Sequence, residues 1–223
     1  MKALLLGRPD DDHPGVGTRK LSTRMLESLR LSGMEGKYHT IFSKTQLLDI
    51  VNSEQPDIVY CANHTTEDAG KKISIQTVLE EEQVPYIGST SDVLDLVISK
   101  SRLKTKWSTY GVPTPPFALV GGSSLDAREL DVLLPSAGFP FILKPDRKGN
   151  SRGLNASSIV FDKESLESKL KELLKRFEVV LVEKYLGSYP DIKEFTVAMI
   201  GNDQNKLLLP AELTLKQKKA LRI

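Results

Sequence analysis

Several features that mark particular classes of protein are scarce in this sequence. Its single cysteine, Cys61, permits no internal disulfide, and no Cys/His spacing indicates a structural zinc site. No apolar run approaches the ~20 residues of a membrane-spanning helix, and the apolar start at residues 2–7 is too short for a signal peptide. Lysine and arginine (31) nearly balance aspartate and glutamate (29), and the sequence has no block of basic residues suited to binding a nucleic-acid backbone. We therefore expect a cytoplasmic protein that binds neither nucleic acid nor membrane.

The first 95 or so residues alternate short apolar strands with helices. A length of 223 residues accommodates one large domain or two small ones. Strands separated by helices imply right-handed crossovers and a parallel sheet, so the fold class is α/β. The predicted strands are 2–6, 37–42, 57–61 and 85–87, and the helices between them carry Leu21, Met25 and Leu29, then Leu47, Leu48 and Val51, then Ile75, Val78 and Leu79.

Beyond two further predicted helices, 92–99 and 101–110, the pattern changes to closely spaced strands. One amphipathic helix interrupts them, with Leu166, Leu170 and Leu173 on one stripe and Asp162 as its predicted N-cap. A mixed or antiparallel α+β domain is predicted here, with its boundary near residues 90–112. The predicted strands are 117–120, 139–144, 157–161, 178–183, 194–200 and 206–212.

One stretch, residues 139–153, suits a phosphate site. An apolar strand ends at Lys144, and a loop of small and polar residues containing Gly149, Ser151 and Gly153 follows. Glycines let backbone N–H groups approach phosphate oxygens, and a lysine anchored on a strand supplies a fixed positive charge. A solvated lysine beside an ordinary hairpin loop is the alternative.

The same loop matches the Gly-x-Ser-x-Gly pattern of serine hydrolases around Ser151. That interpretation requires a helix after the serine and, in the usual chain order, a later histidine. His13, His39 and His64 all precede Ser151, and a strand is predicted after Gly153. A hydrolase is therefore disfavoured.

Four separated segments carry a resemblance to a known family. They are Val84-Pro-Tyr-Ile-Gly-Ser89 through Ser99-Lys100-Ser-Arg-Leu-Lys-Thr-Lys106, Gly111-Val-Pro-Thr-Pro-Pro-Phe117, Phe139-Pro-Phe-Ile-Leu-Lys144-Pro145 with the Gly149–Gly153 loop, and Val180-Leu-Val-Glu183-Lys-Tyr-Leu186 followed by Glu194-Phe-Thr-Val197. In this order they resemble the D-alanine–D-alanine ligase family of ATP-grasp enzymes. The resemblance implies an amino-terminal α/β domain at 1–95, a nucleotide-lid subdomain at 96–180, and an incomplete second ATP-grasp subdomain at 181–223.

The resemblance also implies roles in ATP binding for individual residues. Lys100 and Lys144 would hold ATP phosphates, and Ser151 with Gly149 and Gly153 would belong to a loop that closes over them. The implied adenine hinge comprises Glu183, Lys184 and Leu186, and Glu194 would accept hydrogen bonds from the ribose. The alternatives are a helix-surface lysine at Lys100, beside Lys104 and Lys106, and ordinary strand ends at Glu183 and Glu194.

In the amino-terminal region the resemblance is weaker. Asn63-His64-Thr-Thr-Glu67-Asp68 is similar to a family loop in which His64 would contact substrate or phosphate, although a capping loop fits these residues equally. The loop after the first strand, Gly7 to Gly15, departs from the family pattern, and so do Lys148, Asn150 and Arg152 in the lid. These departures leave the identity of the amino-acid substrate open.

Family members continue beyond the predicted strand at 206–212 with residues that hold magnesium. Those ligands are not in this sequence, so the resemblance implies magnesium but assigns it no residue, and we expect the chain alone to be catalytically weak. A fragment, a truncated gene product and a half-site completed by another chain remain open. An exposed sheet edge predicts self-association into a homo-oligomer.

The function implied by the resemblance is ATP-dependent ligation of a carboxylate to an amine through an acyl phosphate. D-alanine–D-alanine ligation would serve peptidoglycan synthesis, and the partners would be ATP and a small amino-acid-like substrate. Two alternatives remain: an ATP-grasp ligase with other substrates, and a nucleotide-binding or interaction module without catalysis.

Overall fold

A computed structural model describes residues 1–7, 19–121, 127–149, 154–187 and 193–213. The chain divides into two compact units, Met1–Asp95 and Leu96–Ile223. The further subdivision after residue 180 stays a prediction, and it would fall within a strand of the second unit.

The first unit is built on a parallel sheet of four strands. Its elements are β1 (Lys2–Gly7), α1 (Arg19–Leu31), β2 (Glu35–Thr40), α2 (Lys44–Glu54), β3 (Ile58–Cys61), β4 (Thr65–Asp68), β5 (Lys71–Ser74), α3 (Ile75–Glu81), β6 (Tyr86–Ile87) and α4 (Ser91–Ile98), which contains the boundary between the units. The sheet order is β2-β1-β3-β6, and every pairing is parallel. Leu4, Leu5 and Leu6 are all buried, as expected for a parallel strand covered on both faces.

The core of the first unit lies between this sheet and helices α2 and α3. Leu4 and Leu6 of β1 join Leu47, Val51 and other apolar residues in one buried cluster. Cys61 belongs to the same cluster, and burial raises the pKa of its thiol to about 12. A neutral buried thiol is unreactive, which assigns Cys61 to packing.

The antiparallel hairpin β4–β5 was not predicted. Thr65 pairs with Ser74 and Asp68 with Lys71, whereas sequence analysis weighed only a loop at residues 63–68. The connecting residues Ala69 and Gly70 both have positive φ, 46° and 76°. Such turns favour Asn-Gly or Asp-Gly, so an alanine at the first position concealed the hairpin.

The second unit is built on an antiparallel sheet of four strands. Its elements are α5 (Lys100–Thr109), β7 (Phe117–Gly121), α6 (Ala127–Ala137), β8 (Phe141–Pro145), a 3₁₀ helix (Ala156–Ser158), β9 (Ile159–Val160), α7 (Lys163–Leu174), β10 (Val179–Lys184), β11 (Glu194–Ile200) and β12 (Leu207–Leu213). The sheet order is β7-β10-β8-β9, and β11 and β12 form a separate hairpin. The predicted fold class, a parallel α/β unit followed by an α+β unit, is confirmed.

In this unit one helix was missed and one predicted strand requires correction. Helix α6 was not predicted, because Pro135 lies within it and proline usually ends a helix. The strand predicted at 157–161 begins instead as the 3₁₀ helix, and only Ile159–Val160 is extended. The N-cap prediction is confirmed, since the Asp162 carboxylate accepts a hydrogen bond from the Ser165 N–H at 2.8 Å.

The two faces of the antiparallel sheet differ in character. Side chains alternate between faces along a strand. One face presents Phe141, Leu143, Val180 and Val182 to Leu133 of α6 and to Leu166, Leu170 and Leu173 of α7. The opposite face carries Ile142, Lys144, Leu181 and Glu183, by the pairing of β8 with β10. This second face, called the polar face below, holds the candidate site.

The hairpin β11–β12 is exposed along both strands. Its large apolar side chains, Phe195, Val197, Met199, Ile200, Leu207, Leu208 and Leu209, are each exposed. Self-association through such a surface stays a prediction. No helix in the described ranges is both long and apolar enough to cross a membrane.

Candidate functional site

Lys144 and Glu183 form an ion pair on the polar face of the sheet. Lys144 lies opposite Leu181, and Glu183 opposite Ile142, so the two charged side chains are diagonal neighbours on the same face. The Lys144 Nζ is 2.8 Å from the Glu183 Oε1. The glutamate side chain is only 12% exposed, and partial burial strengthens such a pair by excluding water.

Lys104 of helix α5 binds the second oxygen of the same carboxylate. Its Nζ is 3.0 Å from the Glu183 Oε2 and its side chain is 6% exposed. It also donates a hydrogen bond to the Thr114 hydroxyl and lies 5.0 Å from the Phe117 ring centroid. Lys104, Lys144 and Glu183 are called the lysine–glutamate cluster below.

The role of Lys104 was not predicted from the sequence, where it is only a neighbour of Lys100. A signal was present, because Lys104 is four residues after Lys100 and therefore on the same helix face. The side chain is almost completely buried, and a lysine is rarely buried unless it is paired.

Lys100, at the start of α5, binds the last residue of β8 and the segment that follows it. Its Nζ donates to the carbonyl oxygens of Pro145 at 2.9 Å, Asp146 at 3.2 Å and Lys148 at 2.6 Å. Burial lowers the pKa of this ammonium, Asp146 opposes that shift, and the nearby charge of Lys144 adds to it. An ammonium has three N–H donors, and these three carbonyl oxygens occupy them. A phosphate oxygen could therefore bind Lys100 only by displacing one of the carbonyl oxygens. That role stays a prediction.

Asp146 ties the amino terminus of α5 to the end of β8. Its carboxylate accepts hydrogen bonds from the Ser99 hydroxyl at 2.7 Å and from the Ser101 N–H at 2.8 Å, and it is buried. A carboxylate at a helix amino terminus also interacts favourably with the helix dipole. Asp146, which was not predicted from the sequence, positions the helix that carries Lys100 and Lys104.

A cleft of about 270 Å³ adjoins the segment that Lys100 binds. Its lining residues are Pro145, Asp146, Arg147, Lys148, Arg176, Phe177, Glu178 and Val179. Three of them are cationic and two are acidic, and Asp146 already accepts bonds from Ser99 and Ser101. The cleft therefore has a net positive character.

The predicted hinge residues lie at the end of β10. The Lys184 Nζ donates to the carbonyl oxygens of Gly138 and Phe139, both at 3.0 Å, on the face opposite Glu183. The Lys184 N–H donates to the Pro116 carbonyl, while Leu186 is exposed. The hinge role of Lys184 and Leu186 stays a prediction, and the Lys184 side chain has a structural partner at this position.

The remaining predicted residues of the nucleotide site are Glu194, Gly149, Ser151 and Gly153. Glu194 begins β11, opposite Leu213, and is exposed. Gly149 is exposed, and the space that a β-carbon would occupy there is open. Ser151 and Gly153 lie outside the described residues, so their predicted roles stay predictions.

His64 follows β3 in the first unit. Its Nδ1 is 3.0 Å from the Gln76 Nε2. The residue lies at the carboxyl end of the parallel sheet, where open α/β sheets bind their ligands. The predicted contact of His64 with substrate or phosphate stays a prediction.

The magnesium ion implied by the family resemblance is assigned no residue in the described part of the chain. Within those residues, no group of three or more His, Cys, Asp or Glu side chains is arranged to hold a metal. Magnesium is often held by only one or two carboxylates together with the phosphates of its substrate, so magnesium binding stays a prediction from the family resemblance.

Solved structures with a similar fold are amino-acid ligases. D-alanine–D-alanine ligase from Bacillus anthracis is 23% identical, with a TM-score of 0.62 over 97% of this chain and 72% of that chain. Its complex with ATP is also similar, with a TM-score of 0.61 at 22% identity over 96% of this chain and 72% of that one. At such identities the likeness concerns the fold.

Two further ligase structures show the same similarity. D-alanyl-alanine synthetase A from Vibrio cholerae has a TM-score of 0.68 at 17% identity, over 98% of this chain and 68% of that one. VanG D-Ala:D-Ser ligase from Enterococcus faecalis has a TM-score of 0.66 at 16% identity, over 93% and 67%.

A family model provides the assignment that these structures alone do not. Residues 106–220, just over half of the chain, match the model described as D-ala D-ala ligase C-terminus. This match includes β8, β10 and two members of the lysine–glutamate cluster, Lys144 and Glu183. The predicted family is confirmed, and the chain belongs to the D-alanine–D-alanine ligase family.

Proposed function

We propose that the second unit binds ATP on the polar face of its four-stranded sheet. The adenine would lie against Glu183 and the hinge residues, and the phosphates would extend toward Lys144. The observation that carries this proposal is the Glu183 carboxylate, held between two ammonium groups and almost shielded from water.

Glu183 supplies the selectivity for adenine. Each carboxylate oxygen already accepts one lysine donor, but an ionised carboxylate has about four acceptor positions, so a further hydrogen bond can form. The 6-amino group of adenine can donate that bond. Guanine presents a carbonyl oxygen at the same position, which a carboxylate repels. The site should therefore prefer ATP to GTP.

Lys144 supplies positive charge for the phosphates. Lysine acts at phosphate sites as a compact point charge on a flexible stem, so its ammonium can contact a phosphate oxygen while remaining near Glu183. The cationic residues Arg147 and Lys148 follow β8 and line the adjoining cleft, and the Lys148 carbonyl accepts a hydrogen bond from Lys100.

A change of Glu183 to glutamine tests the adenine contact. We expect Glu183→Gln to weaken ATP binding by about tenfold and to reduce the preference for ATP over GTP, because a charged acceptor is lost. Calorimetric titration of both nucleotides measures the two affinities. Glu164→Gln, an exposed position on α7, is the matched control. An unchanged ratio of the two affinities would contradict the adenine contact.

The proposed reaction of the family site is ligation in two steps. The γ-phosphoryl group of ATP passes to a substrate carboxylate and leaves ADP; an amine then attacks the acyl phosphate, forming an amide and releasing inorganic phosphate. The residues described here would contribute orientation and electrostatic stabilisation of ATP. The substrate class we propose is small D-amino acids, with D-alanine the first candidate.

Phosphate release distinguishes the catalytic from the non-catalytic interpretation. We expect D-alanine to stimulate phosphate release from ATP, measured with a coupled phosphate assay, with L-alanine as the control. Stimulation by D-serine instead would indicate a ligase with other substrates. ATP binding without release under any of these conditions would indicate a nucleotide-binding module.

The hydrolase alternative has little support. The described chain resumes after Gly153 with a 3₁₀ helix and strand β9, whereas the nucleophile elbow requires a helix directly after the serine. Labelling of Ser151 by a fluorophosphonate probe would support the hydrolase alternative.

A further inference from the structure

Lys104 is the most deeply buried member of the lysine–glutamate cluster. Its side chain is 6% exposed, compared with 22% for Lys144. Burial of an ammonium is costly unless it is paired and hydrogen-bonded. For Lys104, contacts with the Glu183 carboxylate, the Thr114 hydroxyl and the face of the Phe117 ring offset this free-energy cost.

Lys104 connects three parts of the second unit through these contacts. Helix α5 carries the residue, the turn before β7 supplies Thr114, and β7 itself supplies Phe117. Phe117 is paired directly with Glu183 across the sheet, so the lysine bridges the helix to neighbouring positions on two strands. Lys104 is therefore a buried partner that holds one oxygen of the carboxylate.

A bound nucleotide would affect Lys144 and Lys104 differently. In the proposed site Lys144 must also interact with a phosphate. Once ATP binds, the Lys144 ammonium is therefore shared between the phosphate and the Glu183 Oε1. Lys104 has no such second task, because the Glu183 carboxylate, Thr114 and Phe117 surround it. During nucleotide binding it remains the constant partner of Glu183.

We infer that Lys104 is a positioning residue for adenine recognition: it orients the Glu183 carboxylate to accept a hydrogen bond from the 6-amino group. The inference rests on the proposed ATP site and adds to it a residue that does not itself touch the nucleotide. A purely structural lysine would affect all nucleotides alike, whereas a positioning residue affects those that carry the amino group.

The test compares two nucleotides on one variant. Lys104→Met keeps most of the side-chain volume and removes the charge. We expect it to weaken ATP binding by about tenfold, the worth of a hydrogen bond to a charged group. Purine riboside triphosphate, which has hydrogen in place of the 6-amino group, should lose less than about twofold. Calorimetric titration measures both affinities.

Lys106→Met is the matched control. Lys106 lies two residues further along the same helix, contacts the Tyr110 ring at 5.1 Å and is exposed. We expect this variant to leave both affinities unchanged. In a Glu183→Gln background, Lys104→Met should cause little additional loss of ATP affinity, because the carboxylate that it orients is gone.

The outcomes separate this inference from the proposed function. Wild-type protein that binds no ATP would overturn both. Wild-type protein that binds ATP, with a Lys104→Met variant that weakens both nucleotides equally or weakens neither, would overturn only the role of Lys104. Should circular dichroism show that Lys104→Met is unfolded, Lys104→Gln provides the same comparison with a polar side chain that can still bind Thr114.

Discussion

Replacing Lys144 with alanine is expected to weaken ATP binding by more than about tenfold. The change removes the ammonium on the polar face that is 2.8 Å from Glu183 and oriented by it. Lys100 cannot readily compensate, because three backbone carbonyls hold its ammonium. Lys104 cannot compensate either, since it is buried against Glu183, Thr114 and Phe117.

Isothermal titration of ATP into the wild-type and Lys144→Ala proteins measures this loss. Lys163→Ala is the control, because Lys163 is a highly exposed lysine at the start of α7. Loss of one partner leaves Glu183 with Lys104, so the variant should retain its fold. Equal affinities in the two proteins would remove Lys144 from the nucleotide site.

Replacing Asp146 with alanine is expected to destabilise the second unit by about 2–3 kcal/mol. The change leaves the buried Ser99 hydroxyl and the Ser101 N–H without the acceptors that they have in the native structure. It also removes a carboxylate whose negative charge raises the pKa of Lys100 and so partly offsets the lowering that burial causes. The attachment of α5 to the end of β8 should therefore weaken.

Urea denaturation followed by tryptophan fluorescence measures this effect. The chain has a single tryptophan, Trp107, and it lies on α5, so the signal reports on the helix concerned. Asp131→Ala, at an exposed position on α6, should change the free energy of unfolding by less than about 0.5 kcal/mol. If Asp146→Ala is no more destabilising than this control, the carboxylate does not hold α5 in place.

Much of the fold could be predicted from local patterns. The strands of the first unit are short apolar runs separated by helices, and this arrangement favours parallel pairing. Hairpin β4–β5 and helix α6 escaped prediction because each contains an unusual residue, Ala69 in a turn that favours asparagine or glycine and Pro135 within a helix. In both cases the surrounding structure outweighs the local preference.

Less of the candidate site than of the fold could be predicted from the sequence. Lys144 was identified from the apolar strand and small-residue loop around it, and Glu183 through family resemblance, although 39 residues separate them and no local pattern joins them. Lys100 was also identified through that resemblance, but its carbonyl contacts depend on how the segment after β8 folds back toward α5. Lys104 and Asp146 were not identified, since neither type of residue is expected to be buried.

The amino-acid sequence by itself determined the alternation of strands and helices, the family, and the identities of the charged residues near the predicted nucleotide. The tertiary structure decided which of those charges meet. Antiparallel pairing of β8 with β10 brings Lys144 and Glu183 to one face, and the buried contact of α5 adds Lys104. The reason is physical: hydrophobic periodicity is local to a strand or helix, whereas an ion pair depends on the register between elements that are distant in the chain.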